Sequence, residues 1–472
     1  MTKIKPKWQE DGSIDPDSPN KTFCMAPWTH TYISPQGERR LCCASREEHQ
    51  FQRQYIDATN DETYGDVKGS KTSADEFNPQ SLKEHWNSAY MRDIRKKLMA
   101  GERIPQCDVC NDDILSLSSY RKWFTGFLFR DKIDQAFETT DEDGHTTMPT
   151  ISFDYRYSNL CNFKCRMCGE LLSSSWEAEK KKHDMWKPEN QPFMIPEVKR
   201  KMNQFQVEVV EPEFKQAISD GIVEEIYWVG GEPLMYDIHW WALEEMVNNG
   251  SAEKCYLRYN SNLSRVDFNG KNLYDYLPKF KDWLMCASID GTGRIVEHIR
   301  TGIVWDTWLD NFKQGLELPG GKDKMVFDLT ITGPGMFSIK DLFDLSLELD
   351  VKIETKIMFA FHPDIVYAAH AWPRHILDRV VDDLIAYVEP RATHKQQTLV
   401  RTLHEMKQRP THEEKWPDTW QQQGRQGRHF QNRLSKIRQD QEHQVLSLED
   451  IYRQNDTELY DWWMQYKEDY DG

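Results

Sequence analysis

A chain of 472 residues is too long for one ordinary hydrophobic core, so two or three domains are expected. Its 38% apolar and 12% aromatic content, with 17 Trp, excludes global disorder. A formal charge of −17 disfavours broad binding to nucleic acid or anionic membranes, a local basic face aside, and leaves a soluble, acidic enzyme as the simplest class.

The start Met1-Thr2-Lys3-Ile4-Lys5-Pro6 has no apolar signal segment, and no run of 18 apolar residues follows. A cytoplasmic location without membrane contact is the expectation. In such a reducing compartment ten cysteines are thiols or metal ligands rather than disulfides, and eight of them lie before residue 169.

Residues 1–20 are polar, with turn signals at Asp11-Gly12-Ser13 and Asp17-Ser18-Pro19, and read as a flexible, extended lead-in. The β-prone run Thr29-His30-Thr31-Tyr32-Ile33 before Pro35-Gln36-Gly37 predicts a hairpin with Gly37 in its turn. That hairpin brings Cys24 toward Cys42 and Cys43. A polar stretch over 45–80 reads as a surface loop, followed by a predicted helix over Ser81–Met99 and a C-x2-C at Cys107 and Cys110. Hairpin and C-x2-C together supply four thiolates, a complete set for zinc or for an iron–sulfur cluster, which spacing does not distinguish.

From about 150 to 365 strand-like runs alternate with helical stretches, at Ile151–Tyr155, Ile222–Val229, Lys254–Tyr259, Trp283–Ile289, Met325–Ile331 and Lys352–Phe361. Alternation of this kind predicts an α/β fold with a parallel sheet and right-handed crossovers. Soon after the first run come Cys161, Cys165 and Cys168, spaced C-x3-C-x2-C. Three thiolates are an incomplete set for a four-iron cube, so one iron stays open to an outside ligand. Zinc is the poorer reading here, because structural zinc takes four protein ligands.

Gly230-Gly231-Glu232-Pro233 closes the second run, Tyr259-Asn260-Ser261-Asn262 the third, and Ala287-Ser288-Ile289-Asp290-Gly291 the fourth, with Arg300 beyond it. An insertion over 170–221, rich in Lys and Glu, is predicted helical and placed to cover the site. Ser338 is a predicted N-cap, with Leu342, Leu345 and Leu349 as a core stripe. His362, after the sixth run, is the one catalytic candidate, set against the commoner structural role of a lone loop histidine. Cys255 and Cys286 read as buried core thiols. The last part of the chain is helical, and residues 391–445 carry 11 Lys or Arg against 6 Asp or Glu. A solvated helical face is the simpler account; a docking surface for an acidic partner or RNA is the sharper one.

The ordered motifs over roughly the middle half of the chain resemble the radical S-adenosylmethionine (SAM) superfamily. The resemblance implies a partial (β/α)6 TIM-like barrel over 145–365 and a [4Fe–4S] cluster on Cys161, Cys165 and Cys168 whose open iron is chelated by SAM. It sets Gly230, Gly231, Glu232 and Pro233 against the cofactor's amino group, Ser261 and Asn262 at its ribose, Ser288 and Arg300 near ribose and carboxylate, and Met167 over the adenine. The amino-terminal hairpin and C-x2-C resemble the SPASM/Twitch type of auxiliary module, here over 21–135, although in the best-known relatives such a module follows the barrel. That implies a second [4Fe–4S] cluster on Cys24, Cys42, Cys107 and Cys110, with Cys43 as the alternative to Cys42. A helical extension over 366–472 completes the layout. The implied activity is reductive cleavage of SAM to a 5′-deoxyadenosyl radical that abstracts hydrogen from a peptide or protein, with an electron donor such as flavodoxin or ferredoxin. A nucleotide or other small-molecule substrate, or a non-catalytic iron–sulfur scaffold, are the alternatives. Nucleic acid is not an expected partner.

Overall fold

A computed structural model describes residues 2–35, 37, 39–45, 80–111, 120–186, 195–358, 364–439 and 446–465. Positions 46–79 of the expected polar loop, positions 359–361 at the end of the sixth strand-like run, and His362 lie outside the described residues.

The strands are β1 His30–Ile33, β2 Arg39–Arg40, β3 Ser152–Tyr155, β4 Glu225–Trp228, β5 Tyr256–Ser261, β6 Asp267–Phe268, β7 Lys271–Asn272, β8 Asp282–Ile289, β9 Met325–Ile331 and β10 Lys352–Ile357. Eight of them form one sheet in the order β10-β9-β8-β5-β4-β3-β1-β2, while β6 and β7 make a separate ribbon. The six predicted runs appear as β3, β4, β5, β8, β9 and β10, parallel neighbours in chain order. Among the described residues the sheet is open, with β10 and β2 at its edges.

Alternation within the strands gives the sheet two different faces. In β8, Trp283, Met285, Ala287 and Ile289 are buried while Asp282, Leu284, Cys286 and Ser288 are half-buried. The apolar set shares one core with Phe214, Trp240, Leu243, Trp308, Phe312 and Phe343 from the intervening helices. The opposite, inner face carries Ser152, Asp154, Glu225, Tyr227, Arg258, Asn260, Asp328 and Lys356, an unusually polar surface for parallel strands. A polar inner face is suited to holding a ligand rather than closing a core.

The hairpin is present, with Gly37 at φ +80° and its N–H bonded to the Ser34 carbonyl at 2.9 Å. Its first arm does more than bring cysteines together. β1 pairs in parallel with β3, His30 opposite Ser152 and Ile33 opposite Tyr155, so the amino-terminal module extends the barrel sheet. Arg39 secures the join by donating to Tyr155 Oη at 2.9 Å and to Thr31 Oγ1 at 3.1 Å, and by pairing with Glu213.

The lead-in is docked rather than loose. Ile4 N–H donates to the Met99 carbonyl at 2.8 Å, and buried Asn20 donates to the Ile4 and Leu98 carbonyls at 2.9 and 2.7 Å.

Two local expectations are corrected. Ser338 makes no capping bond; its hydroxyl instead accepts from Thr292 N–H at 2.6 Å, tying the helix Ile339–Glu348 to the end of β8. The buried stripe of that helix is Ile339, Leu342, Phe343 and Ser346, a cleaner helical repeat than Leu342, Leu345, Leu349, of which the last two are only half-buried.

The carboxyl-terminal helices Arg374–Val388, Gln397–Gln408, Trp420–Gln439, Leu448–Asn455 and Thr457–Met464 bury Leu377, Val381, Leu403, Trp420, Tyr452 and Trp463 in the same core as the barrel. The basic stretch is therefore not simply a solvated face. Among the described residues no helix is long and apolar enough to cross a membrane.

Candidate active site

The loop after β3 carries the three spaced cysteines at the carboxyl end of the sheet. Its backbone is pinned from several sides. Lys164 N–H donates to the Thr301 carbonyl and Arg166 N–H to the Ile299 carbonyl, both at 2.8 Å. Trp176 Nε1 donates to the Cys165 carbonyl at 2.7 Å, and Ser173 Oγ to the Phe163 carbonyl at 2.6 Å. The predicted helical insertion, beginning with Ser174–Lys182, thus packs directly on the loop. Cys161 and Cys165 are buried and Cys168 is half-buried.

The glycine motif meets this loop because neither glycine carries a side chain. Gly230 has φ +87°, and a Cβ there would lie 2.8 Å from Arg156 Cβ; Gly231 has φ +56°, and its Cβ would lie 2.5 Å from the Leu160 carbonyl. Only glycine allows that backbone shape and that approach without strain. Glu232 N–H then donates to the Leu160 carbonyl at 2.8 Å, closing β4 onto the residue before Cys161. Pro233 is buried at the start of the following turn.

Glu232 is fully engaged within the protein. Its carboxylate accepts from Ser261 Oγ at 2.8 Å, Asn262 N–H at 2.7 Å and Leu234 N–H at 3.1 Å. Burial raises its pKa to about 6 against the opposition of these donors. Asn262 in turn donates to Asn162 Oδ1 at 3.0 Å and lies 3.8 Å from Cys161 Sγ. Glu232 therefore ties the ends of β4 and β5 together beside the cysteine loop.

Arg300 approaches from the fourth motif, 4.0 Å from Cys165 Sγ and in an ion pair with fully buried Asp290 at 2.7 Å. Burial raises Cys165, and the Arg300 guanidinium is the largest opposing influence, followed after Asp290 by Arg438. Cys161 is also raised, by burial first and then by Cys165 and Glu232. Neutral thiols are favoured here until a metal centre takes their protons. Ser288 lies on the inner face of β8 opposite Asp328, and Met167 is half-buried against the core.

The amino-terminal cysteines also assemble. Burial raises Cys42 strongly, and its further influences are Cys43, Cys107, Cys110 and Cys24. Cys24 is pushed up to about 11 by burial, with Arg121 opposing and Cys110 adding. Cys43 turns elsewhere. It is raised to about 11 by burial and then by Asp154, while Arg156 and a hydrogen bond with Tyr120 oppose. Cys42 thus feels all four of the other amino-terminal cysteines, Cys43 first, while Cys43 is influenced mainly by Asp154, Arg156 and Tyr120.

No disulfide joins any of the ten cysteines. Among the described residues no group of three or more His, Cys, Asp or Glu side chains converges on a single ion's position. The two all-sulfur donor sets fit iron–sulfur clusters.

The inner face below the loop is a network of paired charges. Tyr227 donates to Asn260 at 2.6 Å, Asn260 to Asp328 at 2.7 Å, and Lys356 pairs with Asp328 at 2.8 Å. Arg156 pairs with Asp154 at 3.2 Å, and the Arg258 guanidinium lies 3.6 Å from both Glu225 and the Tyr227 ring centre. Cys286 belongs here rather than in the core. It is half-buried between Asn260 and Val326 in register, and only Cys255 is a fully buried core thiol. The strict alternation of β8 was the available signal for this placement.

The Radical SAM superfamily model matches residues 155–337. The chain carries a radical SAM domain. A second model, an iron–sulfur cluster-binding domain of the SPASM type, matches residues 24–111 and so precedes the radical SAM domain. Together the two domains imply [4Fe–4S] clusters and SAM as cofactors. No curated protein matches the chain. Similar solved structures include Streptococcus suis SuiB bound to S-adenosylmethionine, at 16% identity and TM-score 0.34, covering 61% of this chain and 58% of SuiB. SuiB bound to its precursor peptide SuiA aligns at 15% identity and TM-score 0.33, covering 65% of this chain and 61% of that one. The alignments span less than two thirds of SuiB.

Proposed function

We propose that the chain reductively cleaves SAM at a cluster held by Cys161, Cys165 and Cys168 and uses the product to abstract hydrogen from a peptide or protein. The supporting observation is convergence. Four motifs from separate strand ends meet at one rim, with Asn262 beside Cys161, Arg300 beside Cys165 and Glu232 joining the ends of β4 and β5. When bound, the cluster would supply the electron that splits the SAM sulfonium, leaving methionine and a 5′-deoxyadenosyl radical.

The protein's part is to position and shield. Gly230 and Gly231 let the end of β4 close on the loop that precedes Cys161, which would leave their backbone available to the cofactor. Arg300, held by Asp290, offers positive charge where the methionine carboxylate would chelate. Trp176 and the insertion helix keep water from the back of the loop. The polar inner face, with Asp154, Arg156, Arg258, Asn260 and Asp328, would offer hydrogen bonds to orient a substrate. A peptide or protein is favoured because SPASM-type modules accompany peptide- and protein-modifying chemistry.

Cys24, Cys42, Cys107 and Cys110 would hold the second cluster with all four irons ligated, suited to electron relay or to bracing the module. The test is anaerobic reconstitution, iron and sulfide counting, and assay for 5′-deoxyadenosine after adding dithionite and SAM. About eight irons with product formed supports the reading. Full iron loading without product overturns it.

A further inference from the structure

The helix Trp420–Gln439 contains five Arg or Lys and no acid in a chain of charge −17. In sequence it has no evident link to the cysteine loop. In the fold, Arg428, Gln431, Leu434, Ser435 and Arg438 make a buried face at helical spacing, and its carboxyl-terminal half lies against that loop.

Arg166, between the second and third cysteines of the loop, is 1% exposed. It donates to Gln431 Oε1 at 3.0 Å and Ser435 Oγ at 3.1 Å. Arg438, 2% exposed, donates twice to Glu179 Oε2, at 2.7 and 3.2 Å, and to Thr301 Oγ1 at 3.1 Å. Its guanidinium lies 4.6 Å over Trp176, the residue that holds the Cys165 carbonyl, and Phe430 stacks on the same indole at 6.4 Å. Glu179 also pairs with Lys164 at 2.7 Å, and Thr301 receives the Lys164 N–H. Each of these contacts of Arg438 leads to the cysteine loop within one further residue.

A buried ion pair is a poor device for stability alone, because well-packed apolar residues of similar volume serve as well or better. Here Lys164 and Arg438 share a single carboxylate, Glu179, while Arg166 is held by the neutral Gln431 and Ser435, which leaves net positive charge behind three thiolates. Net charge and hydrogen bonding around the sulfurs set the reduction potential of an iron–sulfur cluster. We propose that Trp420–Gln439 is a wall of the cysteine-loop site and that Arg438 is a positioning residue, fixing the loop through Glu179, Trp176 and Thr301 and raising the potential of the cluster it holds. This rests on assigning a cluster to Cys161, Cys165 and Cys168.

The test is an EPR-monitored redox titration of the full, anaerobically reconstituted chain, using the spectral change on adding SAM to follow the open cluster. Arg438→Met should move its midpoint to more negative potential, and a chelator should strip its iron about tenfold faster or more. Arg438→Lys should keep the midpoint near that of the unaltered chain. Glu179→Gln removes the negative partner and should move the midpoint the opposite way, to more positive potential. A role in stability alone would not produce shifts of opposite sign. Folded Arg438→Met with unchanged midpoint and iron retention overturns the proposal. If that variant fails to fold, an unchanged or negative shift in Glu179→Gln overturns it instead. A SAM-insensitive signal in the unaltered chain would remove the cluster assignment itself, and the proposal with it.

Discussion

The two cysteine assemblies use the same donor atom for opposite ends. In the amino-terminal module the four proposed ligands, Cys24, Cys42, Cys107 and Cys110, would fill every position of a cluster. In the loop after β3 three cysteines gather, and the remaining space is bordered by glycine backbone, Asn262 and Arg300. A closed set retains its metal; an open set leaves an iron for chemistry. The surroundings differ accordingly. Buried guanidinium groups of Arg166, Arg300 and Arg438 stand around the open set, each bound to a partner that orients it. The lesson is that the count of thiolates and the order of the charges around them distinguish an open site from a closed one.

The largest expected effect separates the two sets outright. Cys165→Ala should abolish 5′-deoxyadenosine formation while the amino-terminal iron remains, seen as about four irons per chain instead of about eight. Retained cleavage would break the comparison. Cys107→Ala should also lower iron to about four, yet preserve a measurable fraction of SAM cleavage, since it leaves the open set intact. Equal loss of cleavage in both variants would mean that the closed set takes part in the reaction.

Gly231→Ala should destabilise the chain by about 1–3 kcal/mol, because φ is +56° and the new methyl meets the Leu160 carbonyl at 2.5 Å. Thermal unfolding reads the cost, and weaker SAM binding should accompany it. The mildest effect concerns Glu232. Its pKa is raised from 4.5 to about 6, so its contribution to stability is complete below about pH 4.5 and is lost as pH rises through about 6. Denaturant unfolding of the metal-free chain should show a fall of about 2 kcal/mol across that window from this group. Glu232→Gln should flatten the slope, and an unchanged slope would place the titration elsewhere.

Much of the architecture was legible because it is local. The six parallel strands, the hairpin around Gly37 and the motifs at strand ends follow from residue type and alternation within windows of about ten residues. What was missed depends on partners far away in sequence. β1 reads as one arm of an isolated hairpin, yet its free edge pairs with β3 after more than a hundred intervening residues. Cys286 lies in an apolar run, but strand alternation turns it to the polar face. The helix Trp420–Gln439 reads as basic and solvated, although Gln431, Leu434, Ser435 and Arg438 carry a buried spacing in which only one residue is apolar. Hydrophobic periodicity does not detect a face built from hydrogen-bonding side chains.

By itself the sequence determined the donor chemistry and the order of the motifs, since spacing within a loop and glycine at a strand end are properties of neighbouring residues. The tertiary structure alone decided that Cys43 comes under the influence of Asp154, Arg156 and Tyr120, residues distant in sequence that β1 lying against β3 brings near. It also decided that Gln431 closes on Arg166, 265 residues earlier in the chain. Contacts of that kind are settled by how whole elements pack, and the energy that selects them resides in buried pairs that have no signature until both partners are in place.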